Sequence, residues 1–254
     1  MILPEFSTEV NERLRANERD EGLGVASKAF FTASIAARYS YNFRFLGRPV
    51  IQYPQDMIAI QSVFWETKPD LVIETGVAHG GSLVMSAAML AVLDACDREG
   101  SGVEPPRRRV LGIDIDIRPH NAVAIRDHPL SKRIELIQGS STSPDVLARA
   151  RSMAAEARSV LVMLDSNHTH DHVLAELRAY TPLVTRGSYC VVFDTCIEYM
   201  STEACAGRPW SVGNSPATAV KAFLSECPDF VVDRDIDAAL MISVAPGGYL
   251  RRVH

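Results

Sequence analysis

The feature that most constrains the fold is a regular alternation of short apolar runs and helix-like stretches that begins at Asp70. The runs are rich in Val, Ile and Leu, as expected of strands buried on both faces. They lie at 71–73, 110–113, 134–137, 160–164 and 189–193. The helix-like stretches between them cover 82–94, 121–128, 144–157 and 171–180. This order predicts a doubly wound, mostly parallel α/β sheet.

The C-terminal part of the sequence departs from this alternation. A helix is predicted over 217–225, and apolar runs follow at 230–232 and 240–244 with only a short Asp-rich connection. Because that connection is too short for a helical crossover, the two runs are predicted to pair as an antiparallel hairpin. A parallel sheet with such an end resembles the Rossmann-like methyltransferase variant of the doubly wound fold more than the all-parallel dinucleotide-binding variant.

The first 60 residues differ from the rest of the chain. A charged stretch at 8–19 is predicted to be helical, and 39–53 contains five aromatic residues. We expect a helical and aromatic extension over 1–60, acting as a lid or an oligomer contact, and a cofactor-binding domain over 61–254. Burial of the aromatic cluster against the main domain would explain this segment, and contact with a second copy in a homo-oligomer is also expected.

Composition limits the possible partners. The chain has 26 Lys+Arg against 31 Asp+Glu, a net charge of −5, which disfavours phosphate-rich partners. The dense basic run, arginines 107–109, is expected to be a solvated loop end after Pro105 and Pro106. No apolar stretch approaches the roughly 18 residues of a membrane span, the N-terminus lacks signal-peptide regions, and the five cysteines form no CxxC pair. We therefore expect a cytoplasmic protein with no nucleic-acid or membrane partner.

The first predicted strand ends in a glycine-rich turn. Ligands of open parallel sheets bind at the carboxyl ends of the strands, and glycines there let the backbone approach a ligand closely. The turn ETGVAHGGS resembles the E/DxGxxxGG loop of S-adenosylmethionine binders, and a purely structural strand-to-helix turn is the alternative. Its candidate cofactor-binding residues are Glu74, Gly76, Gly80, Gly81 and Ser82.

The second and third strands end in polar residues that could bind a nucleoside. Asp114 follows the second strand, where a carboxylate can accept hydrogen bonds from ribose hydroxyls, and it lies closer to the strand end than Asp116. Ser140 follows the third strand and could border an adenine ring. Either group could instead cap a helix.

The end of the fourth strand is the most informative segment. Asp194 follows the fifth strand at the same edge of the sheet. Carboxylates from adjacent strand ends suit Mg²⁺ as ligands. A Zn²⁺ site would more readily use two histidines. Asp171 could instead cap a helix, with the later histidines solvated. Five side chains able to bind a metal follow the fourth strand: Asp165, His168, His170, Asp171 and His172.

Such a site could support methyl transfer to a hydroxyl. A divalent cation lowers the pKa of an alcohol that it holds, and a nearby base then takes the proton. His168, with an ordinary imidazole pKa of about 6.5, is the candidate base, and Asp165 is the catalytic carboxylate beside it.

Six segments together resemble the cephalosporin hydroxylase and rhamnosyl O-methyltransferase family. They are YNFRFLGRPVIQYPQDM, VIETGVAHGGS, GIDIDIRPHN, LDSNHTHDHV, VVFDT and APGGYLRRV, and they span roughly residues 39–253. The resemblance implies a class I, S-adenosylmethionine-dependent and Mg²⁺-assisted O-methyltransferase. Its implied acceptor is a sugar hydroxyl, such as that of rhamnose on a natural product, a nucleotide sugar or a glycan.

The resemblance also implies roles for residues. The glycine turn from Glu74 to Ser82 and Asp114 would contact the cofactor, Asp165 and Asp194 would bind the metal, and His168 would be the base. Related sugar methyltransferases carry a Glu-Asp pair after the fifth strand, where this chain has Phe193 and Asp194. The third metal ligand is therefore open, and Glu198 or a water could fill the position.

The sequence suggests residues for the acceptor pocket and leaves two alternative functions to be distinguished. Gln52, Tyr53 and Trp210 are expected to contact the acceptor, because aromatic faces suit sugar rings, although ordinary loop packing would equally explain Trp210. A metal-dependent hydroxylase or oxygenase of a secondary-metabolite pathway could use Asp165 with His168 and His170. A non-catalytic accessory protein could keep the nucleotide pocket alone.

Overall fold

The computed structural model describes residues 4–97 and 107–254, so Pro105, Pro106 and the first three residues lie outside it. The helices of the described residues are α1 Pro4–Arg19, α2 Glu21–Ala36, α3 Pro54–Thr67, α4 Gly81–Asp97, α5 Pro119–Arg126, α6 Pro144–Ala155, α7 His170–Tyr180, α8 Pro216–Glu226 and α9 Arg234–Leu240. The strands are β1 Phe43–Phe45, β2 Arg48–Val50, β3 Leu71–Thr75, β4 Arg109–Asp114, β5 Ile134–Gln138, β6 Val160–Leu164, β7 Tyr189–Val192, β8 Phe230–Val232 and β9 Tyr249–Arg252.

Seven of these strands form one sheet in the order β5-β4-β3-β6-β7-β9-β8. Strands β3 to β7 pair in parallel, whereas β9 pairs antiparallel with both β7 and β8. The predicted doubly wound, mostly parallel sheet with an antiparallel end is therefore confirmed. The strand order switches direction between β3 and β6, where a ligand crevice is expected at the carboxyl ends.

Helices bury both faces of the sheet, which explains the continuous apolar runs of the central strands. Every residue of β3 and β6 is buried. Leu83 of α4 and Ile60 of α3 belong to the core on one face. Leu177 of α7 and Phe223 of α8 belong to the core on the other face. Within 4–97 and 107–254, no helix combines the length and apolar content needed to cross a bilayer.

The final strand is not where the apolar pattern placed it. The run 240–244 forms the end of α9 and the loop after it, and the last strand is β9. Helix α9 begins after β8 because the side chain of Asp233 accepts hydrogen bonds from the backbone N–H groups of Asp235 and Ile236. The apolar residues of 240–244 pack against the core instead of pairing in the sheet. The predicted antiparallel pairing of the last two strands is correct, with β9 as the second member.

The basic run is not a wholly solvated loop end, and this expectation is wrong for Arg108. Arg107 is exposed, but Arg108 is buried. The Arg108 guanidinium lies 2.8 Å from a carboxylate oxygen of Asp94 and 2.5 Å from one of Asp97. The charge of Arg108 is paired inside the protein with these carboxylates. The run therefore does not present three free cations to a polyanion.

The N-terminal region packs on the sheet domain. The predicted helix at 8–19 lies within α1, whereas α2 and α3 were not predicted. The ring of Tyr39 lies 5.0 Å from that of Phe43 and 5.6 Å from that of Tyr53. Tyr53 belongs to the same core as residues of α3, and Tyr39 packs against that core. The boundary expected at residue 60 falls inside α3, which is continuous across it.

A buried carboxyl group ties α3 to the C-terminal loop. Asp56 has no exposed surface and accepts hydrogen bonds from the Ser243 hydroxyl at 2.6 Å, the Val244 N–H at 2.9 Å and the Tyr249 hydroxyl at 2.9 Å. Burial raises the pKa of Asp56 to about 6, although these three hydrogen bonds partly offset the effect.

The folded protein therefore holds a proton on Asp56 between about pH 4 and pH 6 that the unfolded chain releases. Wild-type stability should fall by roughly 1–3 kcal/mol as the pH rises through this window, and the Asp56→Asn variant should lack that fall. In urea titrations the variant should be less stable than wild type by a larger margin at about pH 4.5 than at about pH 7. An exposed control, Asp127→Asn, should show the wild-type dependence, and an equal margin at both pH values would contradict the expectation.

Candidate active site

A cavity of about 1290 Å³ opens at the carboxyl ends of the parallel strands. The turn after β3 and the ends of β4 to β7 form its floor, and residues of α2 form part of its wall. Pockets for one small ligand measure roughly 300–1,000 Å³. The cavity can therefore hold a cofactor and a second molecule together.

Close backbone packing explains the glycines in the turn after β3. At Gly76, with a φ of +93°, a Cβ atom would lie 2.0 Å from the carbonyl oxygen of Asp165. At Gly81 a Cβ atom would lie 2.1 Å from the carbonyl oxygen of Pro49. Glycine is thus required here because the turn contacts β6 and the N-terminal segment, a reason that was not visible in the sequence.

Asp114 lies at the end of β4, as predicted, and lines the cavity. Its Oδ2 accepts the backbone N–H groups of Val77 at 2.8 Å and Ala78 at 3.3 Å, and its Oδ1 accepts that of Asp116 at 3.0 Å. Asp114 therefore holds the glycine turn. Oδ1, which accepts one N–H group, can accept a further hydrogen bond, so a contact of Asp114 with a ribose stays a prediction.

Arg48 holds the same turn from the N-terminal side. Its Nε donates to the carbonyl oxygen of His79 at 2.9 Å, and its Nη2 donates to Oδ1 of Asn121 at 2.9 Å. The Asn121 amide in turn donates to the carbonyl oxygen of Ala78 at 2.8 Å. Both residues lie in segments that carried the family resemblance, but no role was predicted for either because neither belongs to the glycine motif.

Three predicted residues meet on the other side of the turn. Asp165 follows β6, His168 precedes α7, and Asp194 follows β7; they can place one ligand atom each within 4.8 Å of one another. Nδ1 of His168 lies 3.3 Å from Oδ2 of Asp194. Burial and the neighbouring carboxyl groups of Asp194 and Glu74 raise the pKa of Asp165 well above its ordinary value. The cluster contains two carboxyl groups and one imidazole. A divalent cation bound there would stabilise the carboxyl groups in their ionised form.

No third carboxylate completes this cluster among the described residues. Phe193 is 2% exposed and belongs to the hydrophobic core. Glu198 instead binds the loop before α8, where its Oε1 accepts the Ser215 hydroxyl at 2.6 Å and the Gly213 N–H at 2.8 Å. The protein ligands available to a metal are therefore Asp165, Asp194 and the imidazole of His168.

Other predicted residues divide into those that line the cavity and those that do not. Glu74 lies behind the wall, where Ser82 donates to it and burial raises its pKa to about 8. Tyr53 is also fully buried, with its hydroxyl paired to that of Ser34. Neither side chain reaches the cavity, so direct contacts of Glu74 with cofactor and of Tyr53 with acceptor find no support. The predicted residues that line the cavity are Gln52, Gly76, Gly80, Gly81, Ser82, Asp114, Ser140, Asp165, His168, His172, Asp194 and Trp210.

The doubly wound sheet with an antiparallel end and a ligand cavity at its carboxyl edge defines the class I methyltransferase fold. The family model for rhamnosyl O-methyltransferase/CmcI matches residues 37–253. The chain belongs to this family, which confirms the resemblance drawn from its motifs.

Individual relatives agree with this assignment. The rhamnosyl O-methyltransferase of Mycobacterium tuberculosis is 29% identical over 204 residues, covering 78% of this chain and 73% of that protein. That of Mycobacterium leprae is 28% identical over 211 residues, covering 82% of each chain. The apo structure of CmcI superposes with a TM-score of 0.54 at 20% identity, covering 84% of this chain and 77% of that one. The Mg-SAM structure of CmcI gives 0.53 at 19% identity, with coverages of 84% and 78%, so both confirm the fold.

Removal of Arg48 should loosen the glycine turn. A hydrogen bond from a charged donor contributes roughly 1.5–3 kcal/mol, so Arg48→Ala should speed amide exchange of residues 77–80 by about tenfold or more. Hydrogen–deuterium exchange read by mass spectrometry measures this directly, without any ligand. The exposed neighbour Arg44 provides the control, since Arg44→Ala should leave the turn protected. Unchanged exchange in Arg48→Ala would show that Asp114 and Asn121 hold the turn without Arg48.

Proposed function

We propose that this chain is an S-adenosylmethionine-dependent, Mg²⁺-assisted O-methyltransferase. Its acceptor is a sugar hydroxyl on a glycosylated natural product, a nucleotide sugar or a glycan. The observation that carries the proposal is the cluster of Asp165, His168 and Asp194 beside the glycine turn in one cavity. Family membership and the curated rhamnosyl O-methyltransferase relatives support it, and CmcI has a structure with the same metal and cofactor.

The residues of the cavity fit the cofactor in shape and charge. The turn from Gly76 to Ser82, with Asp114 and Ser140, would hold it. When bound, S-adenosylmethionine supplies an electrophilic methyl carbon on a positively charged sulfur. The acidic surroundings of Asp165 favour such a cation, because they already raise the pKa of its carboxyl group.

Asp165 and Asp194 would hold the metal. Oxygen ligands from two strand ends suit Mg²⁺, which commonly keeps several waters and takes one or two carboxylates from the protein. When bound, the cation supplies a Lewis acid that lowers the pKa of an acceptor hydroxyl.

His168 is placed to take the proton from the acceptor hydroxyl. Its Nδ1 faces Asp194, so an Nδ1–H donated to that carboxylate leaves the lone pair on Nε2 for the proton. The acceptor hydroxyl would pass its proton to His168, and the cofactor, held by the glycine turn and Asp114, would supply the methyl carbon for the hydroxyl oxygen and retain the electrons of its sulfur–carbon bond.

The competing hydroxylase hypothesis needs a second histidine at the metal. His170 does not line the cavity, because its Nδ1 lies 2.8 Å from the Thr218 hydroxyl and its backbone N–H is bonded to Asn214. The cluster offers two carboxylates and no more than one imidazole, which differs from the two histidines and one carboxylate of non-haem iron oxygenases. A purely accessory role would leave the assembled cluster of Asp165, His168 and Asp194 without use.

The acceptor would enter between the N-terminal region and the loop after β7. Trp210 lines this side of the cavity, with its ring 6.0 Å from that of His168, and Gln52 lies on the N-terminal side. We assign both to the acceptor wall, and the extension over 1–60 to a lid or an oligomer contact. A homo-oligomer and a cytoplasmic location stay predictions.

Loss of the base should separate catalysis from binding. The His168→Gln variant should lower turnover by about 10²- to 10⁴-fold, the usual contribution of general base catalysis. Its affinity for S-adenosylhomocysteine in calorimetric titration should match wild type. His170→Gln serves as the control and should keep normal turnover. Normal turnover of His168→Gln at saturating acceptor would exclude His168 as the base.

Removal of the metal tests the proposed role of Asp165 and Asp194. Activity should disappear in EDTA and return with excess Mg²⁺. Asp194→Asn should weaken binding of Mn²⁺, a spectroscopic substitute for Mg²⁺, by about tenfold or more, as loss of one of few charged ligands would. Electron paramagnetic resonance titration measures this affinity in the absence of acceptor. Full activity in EDTA together with undetectable Mn²⁺ binding would remove the metal from the mechanism.

A further inference from the structure

Asp194, a proposed metal ligand, has an unusual backbone conformation. Its φ is +56°, in the left-handed region, which costs energy for a residue with a side chain even though Asp tolerates it better than most. Phe193 before it is fixed to the neighbouring strand, because its N–H donates to the carbonyl oxygen of Leu164 at 3.0 Å. A single 3₁₀ turn, Thr195–Tyr199, follows directly. The direction in which Asp194 holds its carboxylate therefore depends on how this turn is fixed.

The turn after Asp194 packs against the loop between α9 and β9. Thr195 is 1% exposed, and its hydroxyl donates to the carbonyl oxygen of Pro246 at 2.8 Å. The N–H of Cys196 donates to the carbonyl oxygen of Val244 at 3.3 Å. The turn is thus held by a loop from a distant part of the sequence, and the Thr195 hydroxyl supplies one bond that a substitution can remove.

The loop that holds the turn is itself anchored on both sides of Pro246. On one side, the buried carboxylate of Asp56 accepts the Val244 N–H at 2.9 Å. On the other side, the carbonyl oxygen of Gly248 accepts the Val192 N–H, at the end of β7, at 2.8 Å. The carbonyl oxygen of Pro246 is therefore an acceptor in a fixed position, which a mobile loop could not provide.

We propose that Thr195 is a positioning residue for the metal ligand Asp194. Its hydrogen bond to Pro246 holds the turn in the backbone conformation that directs the Asp194 carboxylate toward His168, whose Nδ1 lies 3.3 Å from Oδ2. Without this bond the turn can relax toward the right-handed region, and the carboxylate then moves away from Asp165 and His168. The inference rests on the proposed function, because it concerns the metal that this function uses.

The variant Thr195→Val tests this role, because it keeps the shape of the side chain and removes the hydroxyl. Its Mn²⁺ affinity, measured by electron paramagnetic resonance without acceptor, should fall by about threefold to tenfold, the usual effect of one neutral hydrogen bond. Thr195→Ser keeps a hydroxyl and should bind Mn²⁺ within about twofold of wild type.

Thr181→Val is the matched control. Thr181 is 3% exposed, and its hydroxyl also donates to a backbone carbonyl oxygen, that of Leu177, at 2.6 Å. This variant therefore loses a comparable buried hydrogen bond at the end of α7, away from the proposed metal site. It should lose stability and keep the Mn²⁺ affinity of wild type, which separates a positioning role from a merely structural one.

Melting temperatures of the four proteins show whether each variant folds. If Thr195→Val does not fold, Thr195→Ala replaces it, since it places no methyl group against the Pro246 oxygen, and the same loss of affinity is expected. Wild-type affinity in the variant without the hydroxyl, or an equal loss in Thr195→Ser or Thr181→Val, would overturn the positioning role and leave the proposed function standing. Absence of Mn²⁺ binding by wild type would instead contradict the proposed metal site, and the positioning role with it.

Discussion

The arrangement of the site depends on one backbone contact at the centre of the sheet, between Gly76 and Asp165. A Cβ atom at Gly76 would lie 2.0 Å from the Asp165 carbonyl oxygen, and the Asp165 N–H donates to the carbonyl oxygen of Thr75 at 2.9 Å. The Gly76 N–H donates to Ile113 at 2.8 Å. These contacts lock the ends of β3, β4 and β6 together. The turn proposed for the cofactor and the aspartate proposed for the metal are consequently parts of one rigid backbone unit.

The same packing gathers acidic groups where the sheet is least hydrated. Glu74 and Glu176 are buried, and burial together with repulsion from Asp194, Glu74 and Glu176 raises the pKa of Asp165. Ionised carboxylates this close destabilise one another unless cations offset them. A positively charged sulfur and a divalent metal are such cations. Charge as well as shape therefore favours the proposed occupants of the cavity.

The sequence predicted the features that depend on apolar periodicity and on which residues follow the strands. It did not predict the features that depend on tertiary contacts. The five parallel strands and the meeting of Asp165, His168 and Asp194 followed from apolar runs that end at one sheet edge. Residues 240–244 are as apolar as a strand, but a helix cap at Asp233 and core burial place them elsewhere. Arg108 looked solvated because its partners Asp94 and Asp97 lie before it on α4. His172 was named as a possible metal ligand, but its Nε2 lies 3.1 Å from the Ser141 hydroxyl and 3.5 Å from Oε1 of Glu176, and it is not part of the cluster of Asp165, His168 and Asp194.

The insertion of β9 between β7 and β8 has a consequence for how the molecule is made. Strand β7 leads directly into Asp194, yet its outer neighbour in the sheet is formed by Tyr249–Arg252. A ribosome delivers Asp194 well before it delivers those residues. Until they emerge, β7 has an unpaired edge, and its last residue, Val192, has no Gly248 carbonyl to accept its backbone N–H. The pairing that holds β7, the strand leading into Asp194, therefore cannot form until the last residues of the sheet have been synthesised.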